Sequence, residues 1–269
     1  MLRKLRKGVG FVAFAVGNIR PRPLALLLIV TKLIQKLFAI QPKNISFTFL
    51  SHTPLSISVN DVEQLSYLFN IFYSGPFRVS KAIRSSPVII DGGANIGMAS
   101  VYFYSKYPRA RIYAIEPAAE NVDLLRRNLA GLPNIEISQT AIWEESKELI
   151  FNISQCVRYN SFFDTDEKCR RERVKALCLS DWLDEKHISK VDVLKLNVEG
   201  AEASAIRGLG KRIEDVDVIV GELHPQFVDK EAFLDELKRN NFTLSRFEKI
   251  GKGTWAFEAH NVLFGEQSG

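Results

Sequence analysis

The sequence predicts an α/β protein, a doubly wound and mostly parallel sheet with helices on both faces. Two observations carry this expectation. From Pro87 onward, short apolar runs alternate with stretches of helical spacing, as in successive βαβ units. Within the first of these, "VIIDGGANIGMAS" (88–100) reads as a strand, a tight glycine turn and the start of a helix.

The elements follow in order. "NISFTFLSHTPLSISVND" (44–61) has two alternating runs around a Ser-His-Thr-Pro turn and predicts a hairpin. "VEQLSYLFNIFYSG" (62–75) has helical spacing and stops at Gly75-Pro76. Seven core strands are expected at 88–91, 111–116, 135–140, 191–198, 216–223, 243–248 and 255–264. Helices are expected at 96–107, 118–130, 201–209 and 230–240. The last two strands, joined by "KIGKGT", should pair antiparallel at one edge. Two more strands, 148–153 and 174–179, flank residues 154–173, whose mixture of charges and aromatics without periodicity suggests a substrate lid. The chain thus divides into an N-terminal helical extension (1–43), a hairpin and helix (44–86) and the main domain (87–265).

Charge separates the first of these from the rest. Nine of the 36 basic side chains and no acid lie in residues 1–43, which leaves 27 basic against 31 acidic side chains elsewhere, a net −4. The main domain therefore offers no basic surface for nucleic acid. "MLRKLRKGVGFVAFAVGNIRPRP" has a basic start and Ala13-Phe14-Ala15, but that pair lies inside the apolar run, and Arg20 and Arg22 follow at once, which argues against a cleaved signal. "LALLLIVTKLIQKLFAI" (24–40) falls short of the ~20 residues of a spanning helix. With Lys32, Gln35 and Lys36 on one face, it can lie in a membrane interface or pack on the main domain. Three cysteines with no CxxC, and no histidine pair at ligand spacing, predict no metal site and a reducing, cytoplasmic setting, with peripheral membrane contact through 1–43 as the open addition.

Three ligands compete for the glycine turn. A P-loop needs a Lys and a hydroxyl after its last glycine, but Met98-Ala99 follow Gly97. A dinucleotide turn needs G-x-G-x-x-G; here the glycines are 92, 93 and 97, and Asp91 would set a negative charge beside the phosphates. S-adenosylmethionine has no phosphate and carries an ammonium and a sulfonium, so an acid suits it. Glu116, which ends the next strand 19 residues after Gly97, is placed to accept the ribose hydroxyls.

The motifs "IFYSGPF", "VIIDGGANIGMAS", "IYAIEPAAENVDLLRRNL", "AIWEES", "DVLKLNVEGAE" and "VDVIVGELHP", in that order from Phe69 to Phe264, resemble the FkbM-type methyltransferases. The resemblance implies the seven-stranded, Rossmann-like methyltransferase sheet and methylation of hydroxyl groups on sugars, glycolipids or natural-product scaffolds. It implies that Asp91, Gly92, Gly93, Asn95 and Gly97 line the amino-acid part of S-adenosylmethionine, that Glu116 takes the ribose, and that Ala141 and Ile142 flank the adenine. The family pattern reads Lys-Ile-Asp-Val-Glu-Gly where this chain has Asn197, and an amide cannot act as a base.

Methyl transfer to a hydroxyl needs in-line positioning and a proton acceptor. His224, Glu222 and Glu199 should all lie at carboxyl ends of central strands, with His224 favoured for its pKa near neutrality. Glu202 reads as a first-turn acid favoured by the helix dipole, and Lys195, odd inside a strand, as either snorkelling past the sheet or pairing with an acid such as Asp192. A catalytically silent cofactor-binding module, favoured by Asn197, and an NAD-dependent oxidoreductase are the competing classes.

Overall fold

The computed structural model describes residues 17–20, 45–50, 54–60, 62–153, 170–251 and 253–264. The remainder of the 1–43 extension and of the 154–173 lid lies outside them. A seven-stranded sheet is built from β4 (Val88–Gly92), β5 (Arg111–Ile115), β6 (Ile135–Ser138), β10 (Val191–Leu196), β11 (Val216–Leu223), β12 (Phe242–Lys249) and β13 (Trp255–Asn261). Their order is β12-β13-β11-β10-β4-β5-β6. All neighbours among β4, β5, β6, β10 and β11 run parallel, while β13 is antiparallel to both its neighbours. The expected late hairpin is therefore the edge that closes the sheet.

Each central strand is buried on both faces, which is why it reads as a continuous apolar run. The faces alternate residue by residue. Ile89, Ile112 and Val193 join one core with α1 (Val62–Ser74), α2 (Met98–Lys106) and α3 (Ala119–Asn128). Ile90, Tyr113 and Leu194 join the other with α4 (Leu179–Glu185), α5 (Glu202–Arg207) and α6 (Lys230–Arg239). The sequence pattern did not show α4, which begins directly at the end of the strand expected at 174–179.

Two small sheets flank this body. The predicted hairpin is β2 (Ile45–Phe49) and β3 (Leu55–Val59), joined by the short β1 (Ile19–Arg20). Strands β7 (Ala141–Trp143), β8 (Lys147–Ile153) and β9 (Arg170–Cys178) form the second, with β9 central.

An extended strap, residues 75–87, fixes α1 relative to the main sheet. Arg246 donates to the Gly75 carbonyl at 2.7 Å. Ser80 donates its N–H and hydroxyl to Glu258 at 2.6 and 2.9 Å. Lys81 pairs with Asp217 at 2.6 Å, and Arg84 donates to Asp192 at 2.8 Å. The strap thereby crosses β13, β11 and β10 in turn before entering β4, where the Val88 N–H also reaches Asp192, at 2.6 Å. Asp192, the acid the sequence offered to Lys195, is thus committed to Arg84.

This arrangement predicts an asymmetry. Asp192 is buried and serves two donors, so Asp192→Ala, which strands the Val88 N–H, should cost about 1–3 kcal/mol in urea unfolding. Arg84 is half exposed, and Arg84→Ala should cost less than about 1 kcal/mol.

Candidate active site

The sheet order reverses between β4 and β10, and the crevice outside the carboxyl ends of such strands is where open α/β folds bind ligands. The register of these two strands pairs Lys195 with Asp91. Both side chains are buried on the same face, and Lys195 Nζ lies 2.9 Å from Asp91 Oδ1. The ammonium also donates to the carbonyls of Gly92 (3.1 Å) and Gly93 (2.8 Å), and it sits 5.0 Å from the centre of the Phe77 ring. The other oxygen of Asp91 accepts from Ser100 Oγ at 2.6 Å. Asp91 therefore organises the turn from within, with its carboxylate occupied by Lys195 and Ser100.

The turn itself is saturated. The N–H groups of Gly93 and Ala94 donate to the Ile115 carbonyl at 2.9 and 3.0 Å, and that of Asn95 donates to Glu116 Oε2 at 2.9 Å. Ile96 N–H binds the Asn95 side chain, and Gly97 N–H the Ala94 carbonyl. A phosphate cradle is made of free N–H groups, and this turn has spent all five. Its glycines are required by the protein's own packing. Gly93 has φ 72°, and a Cβ there would overlap the Asn197 carbonyl. Gly97 has φ 93°, and its Cβ would press on Leu125. Against Gly92 packs Ile142, which like Ala141 is buried in β7, so neither offers an open surface.

Glu116 closes the same loop. Its Oε1 accepts from Ala118 N–H (3.1 Å) and Asn121 Nδ2 (3.0 Å), and Oε2 from Asn95. Three of about four carboxylate acceptor positions are filled, leaving one on Oε2. Burial pushes its pKa up, against the hydrogen bonds from Asn121, Asn95 and Ala118 and the charge of Lys195.

Four further candidates meet at the ends of β10 and β11. His224 Nδ1 lies 2.9 Å from Glu202 Oε1, and His224 Nε2 lies 3.3 Å from Glu199 Oε2. Glu202 Oε1 also accepts the Gly200 N–H at 3.1 Å, so Glu202, fully buried, anchors the turn that carries Glu199. Glu199 holds φ 49°, an uncommon backbone state for a residue with a side chain. The result is a chain of carboxylate, imidazole and carboxylate whose Glu202 end is sealed and whose Glu199 end is 25% exposed.

Electrostatics follow from this contact order. Burial alone would lower the His224 pKa. The hydrogen bond and charge of Glu202, with Glu199 and Glu222, override it and push the ring up to about 9. Burial raises Glu199 to about 7, with the His224 charge holding it down and the Glu202 and Glu222 charges adding to the rise. Glu222 is likewise raised, chiefly by burial, against His224 and Lys195. With a carboxylate on each ring nitrogen, His224 has no lone pair to offer. Glu199, at the exposed end, is the group of this chain left with a pKa near neutrality.

Asn197 stands apart from this chain. Its Nδ2 donates to the hydroxyl of Tyr67 on α1 at 3.0 Å, and its Oδ1 is buried with no hydrogen-bond partner. Sequence reasoning missed Tyr67, Phe77 and Ser100, and took Glu202 for a dipole acid. The Glu-x-x-Glu spacing of Glu199 and Glu202 was the available signal for the last. Tyr67 and Phe77 come from elements remote in sequence and gave none. Among the described residues no group of His, Cys, Asp and Glu could hold a metal ion.

The family model described as "Methyltransferase FkbM domain" matches residues 91–244, from the turn acid to the edge strand. The chain belongs to the FkbM methyltransferase family. It is 33% identical to Methyltransferase sdnD of Sordaria araneosa over 67% of this chain and 82% of that protein. It is 24% identical to 2-O-methyltransferase NoeI of Sinorhizobium fredii, over 59% of this chain and 70% of that protein. It is 24% identical to 31-O-demethyl-FK506 methyltransferase FkbM of Streptomyces tacrolimicus, over 53% and 67%. Among solved structures, Methyltransferase FkbM from Methylobacillus flagellatus matches with 15% identity and a TM-score of 0.45, covering 73% of this chain and 54% of that one. The FkbM domain starts at Asp91, so α1 and the strap, with Tyr67 and Phe77, are contributed from outside it.

The Lys195–Asp91 pair makes a sharp stability prediction. Lys195→Met leaves a buried carboxylate uncompensated and should cost about 3–5 kcal/mol. Lys195→Met combined with Asp91→Asn should recover part of that loss in the same unfolding measurement, giving a strongly non-additive cycle.

Proposed function

We propose that this FkbM-family protein is an S-adenosylmethionine-dependent O-methyltransferase acting on a hydroxyl of a small-molecule acceptor, a saccharide, glycolipid or natural-product scaffold. The observation that carries the reading is the Glu202–His224–Glu199 chain ending beside the glycine turn. A bound S-adenosylmethionine would supply an electrophilic methyl group; the chain's own residues bind, orient and take the proton.

The residues fit that cofactor better than a dinucleotide. The turn's N–H groups are spent, which disfavours a pyrophosphate. Among the described residues, five acids (Asp91, Glu116, Glu199, Glu202, Glu222) gather around the ends of these strands with Lys195 and His224 as their paired cations, a charge balance that favours a cationic ligand. Glu116 keeps one acceptor position for a ribose hydroxyl, and Asn197 keeps an unpaired acceptor near the end of β10.

In this mechanism Glu199 removes the acceptor's hydroxyl proton as the new O–CH₃ bond forms. His224 stays an imidazolium, held by Glu202, and fixes the Glu199 carboxylate. Asn197 plays no part in moving the proton, so the departure from the family's Asp does not by itself imply a silent protein. The names of two relatives, a 2-O-methyltransferase and a 31-O-demethyl-FK506 methyltransferase, support transfer to oxygen.

Calorimetric titration with S-adenosylmethionine should show binding and with NAD none; the reverse result sinks the reading. In turnover, kcat/KM should rise with pH through about 7 as Glu199 loses its proton, and fall through about 9 as His224 loses its own. Glu202, Glu222 and Lys195 also face this pair, so the two limbs belong to the coupled cluster. Glu199→Gln should abolish the acid limb and lower kcat about 10²–10⁴-fold while leaving cofactor affinity nearly unchanged.

A further inference from the structure

Tyr67 is a half-buried phenol delivered by α1 to the end of β10. The amide of Asn197 donates to its oxygen at 3.0 Å. An oxygen that accepts from an amide keeps its own O–H proton for another partner. An Asp at position 197 would instead take that proton, since an ionised carboxylate only accepts. The amide at position 197 therefore leaves the phenol an available donor.

The surroundings of this hydroxyl locate what it would meet. The carboxylates whose charges act most strongly on it are Glu222, Asp91 and Glu199, at the ends of β11 and β4 and just past β10. The phenol thus stands at the junction between the glycine turn and the proton-accepting carboxylates. Asp91 is engaged by the Lys195 ion pair and the Ser100 hydrogen bond, and Glu199 faces His224 at 3.3 Å. Burial and these three negative charges hold the phenol pKa well above its ordinary value, so the group remains a neutral donor throughout the working range.

We propose that Tyr67 contacts the acceptor: its O–H, oriented by the Asn197 amide, donates to the reacting oxygen while that oxygen gives its own proton to Glu199. This rests on the methyltransferase reading above. An alcohol oxygen has one proton and two lone pairs. The proton goes to Glu199, one lone pair accepts from Tyr67, and the other forms the bond to the methyl carbon as the bond from that carbon to sulfur breaks. Tyr67 would then select acceptors that present an sp³ hydroxyl oxygen and reject amines already using their single lone pair for attack.

The test uses the full-length protein, labelled S-adenosylmethionine and, as acceptor probe, a methanol extract of the source cells added in a dilution series. Tyr67→Phe removes one oxygen and keeps the ring, and a thermal melt verifies that it folds. Its half-saturating amount of extract should rise at least tenfold, with S-adenosylhomocysteine affinity within twofold of wild type. Asn197→Asp should reproduce that rise by capturing the phenol proton, and the double variant should be no worse than either single one. Unchanged extract saturation in Tyr67→Phe, or a loss confined to S-adenosylhomocysteine affinity, overturns the proposal and leaves the methyltransferase reading standing. Wild type that binds S-adenosylhomocysteine but transfers no methyl to the extract's hydroxyl compounds overturns both.

Discussion

The ion pair between Lys195 and Asp91 is the constraint on which the rest of the site depends. Taking two charges out of water costs several kcal/mol for each ion, and the pair is tolerated only where every remaining proton and lone pair is also satisfied. Here the ammonium has three protons and three oxygens within reach: Asp91, Gly92 and Gly93. Two of those oxygens are backbone carbonyls of the glycine turn. The same lysine that compensates the buried acid therefore fixes the turn to β10, at the one place where strand order reverses. Gly93 completes the joint, because only a residue without Cβ lets the Asn197 carbonyl lie against it.

Once the turn is fixed to β10, the geometry beyond β10 is fixed too. Glu202 reaches back to the Gly200 N–H and forward to His224, so the turn bearing Glu199, His224 at the end of β11 and the first residue of α5 move as one unit. The strap supplies the other half of the enclosure. It attaches to β13, β11 and β10 through Glu258, Asp217 and Asp192, and it brings Phe77 over the Lys195 ammonium. Asp192 and Asp217 hold the strap from the amino ends of β10 and β11 and Glu258 from midway along β13, and their partners Arg84, Lys81 and Ser80 are separate from the cations at the carboxyl edge.

What the sequence made legible follows from range. Strand alternation and helical spacing are local, so all seven core strands and five of the six α-helices named above could be read within three residues of their ends. The glycine turn and Glu116 were legible because a βαβ unit fixes the spacing between them. Pairings across the sheet were not. Nothing in the chain distinguishes Asp192 from Asp91 as the partner of Lys195, since the choice is made by parallel register, which places Asp91 beside it. The surroundings of the imidazole were hidden for a related reason: its ordinary pKa is a property of the residue type, whereas two carboxylates facing its two nitrogens are a property of the fold. Glu202 was undervalued because a first-turn acid has a sufficient local explanation that hides the non-local one.

Position 197 shows how far a single substitution can be understood from its neighbours. Were that residue the proton acceptor, an amide there would end the reaction, and the intact turn and intact Glu202–His224–Glu199 chain would serve nothing. The presence of both in one structure fits the proposal that the proton moves to Glu199 instead. The amide instead reverses the sense of one hydrogen bond, so that Asn197 gives a proton to Tyr67 where an acid would receive one. It also removes one negative charge from a crevice that already holds five acids against two cations. A further carboxylate there would push Glu199 and Glu222 higher still, by the same repulsion that Glu202 already exerts on both. On the proposal that Glu199 accepts the proton, an uncharged side chain at 197 spares it that further rise.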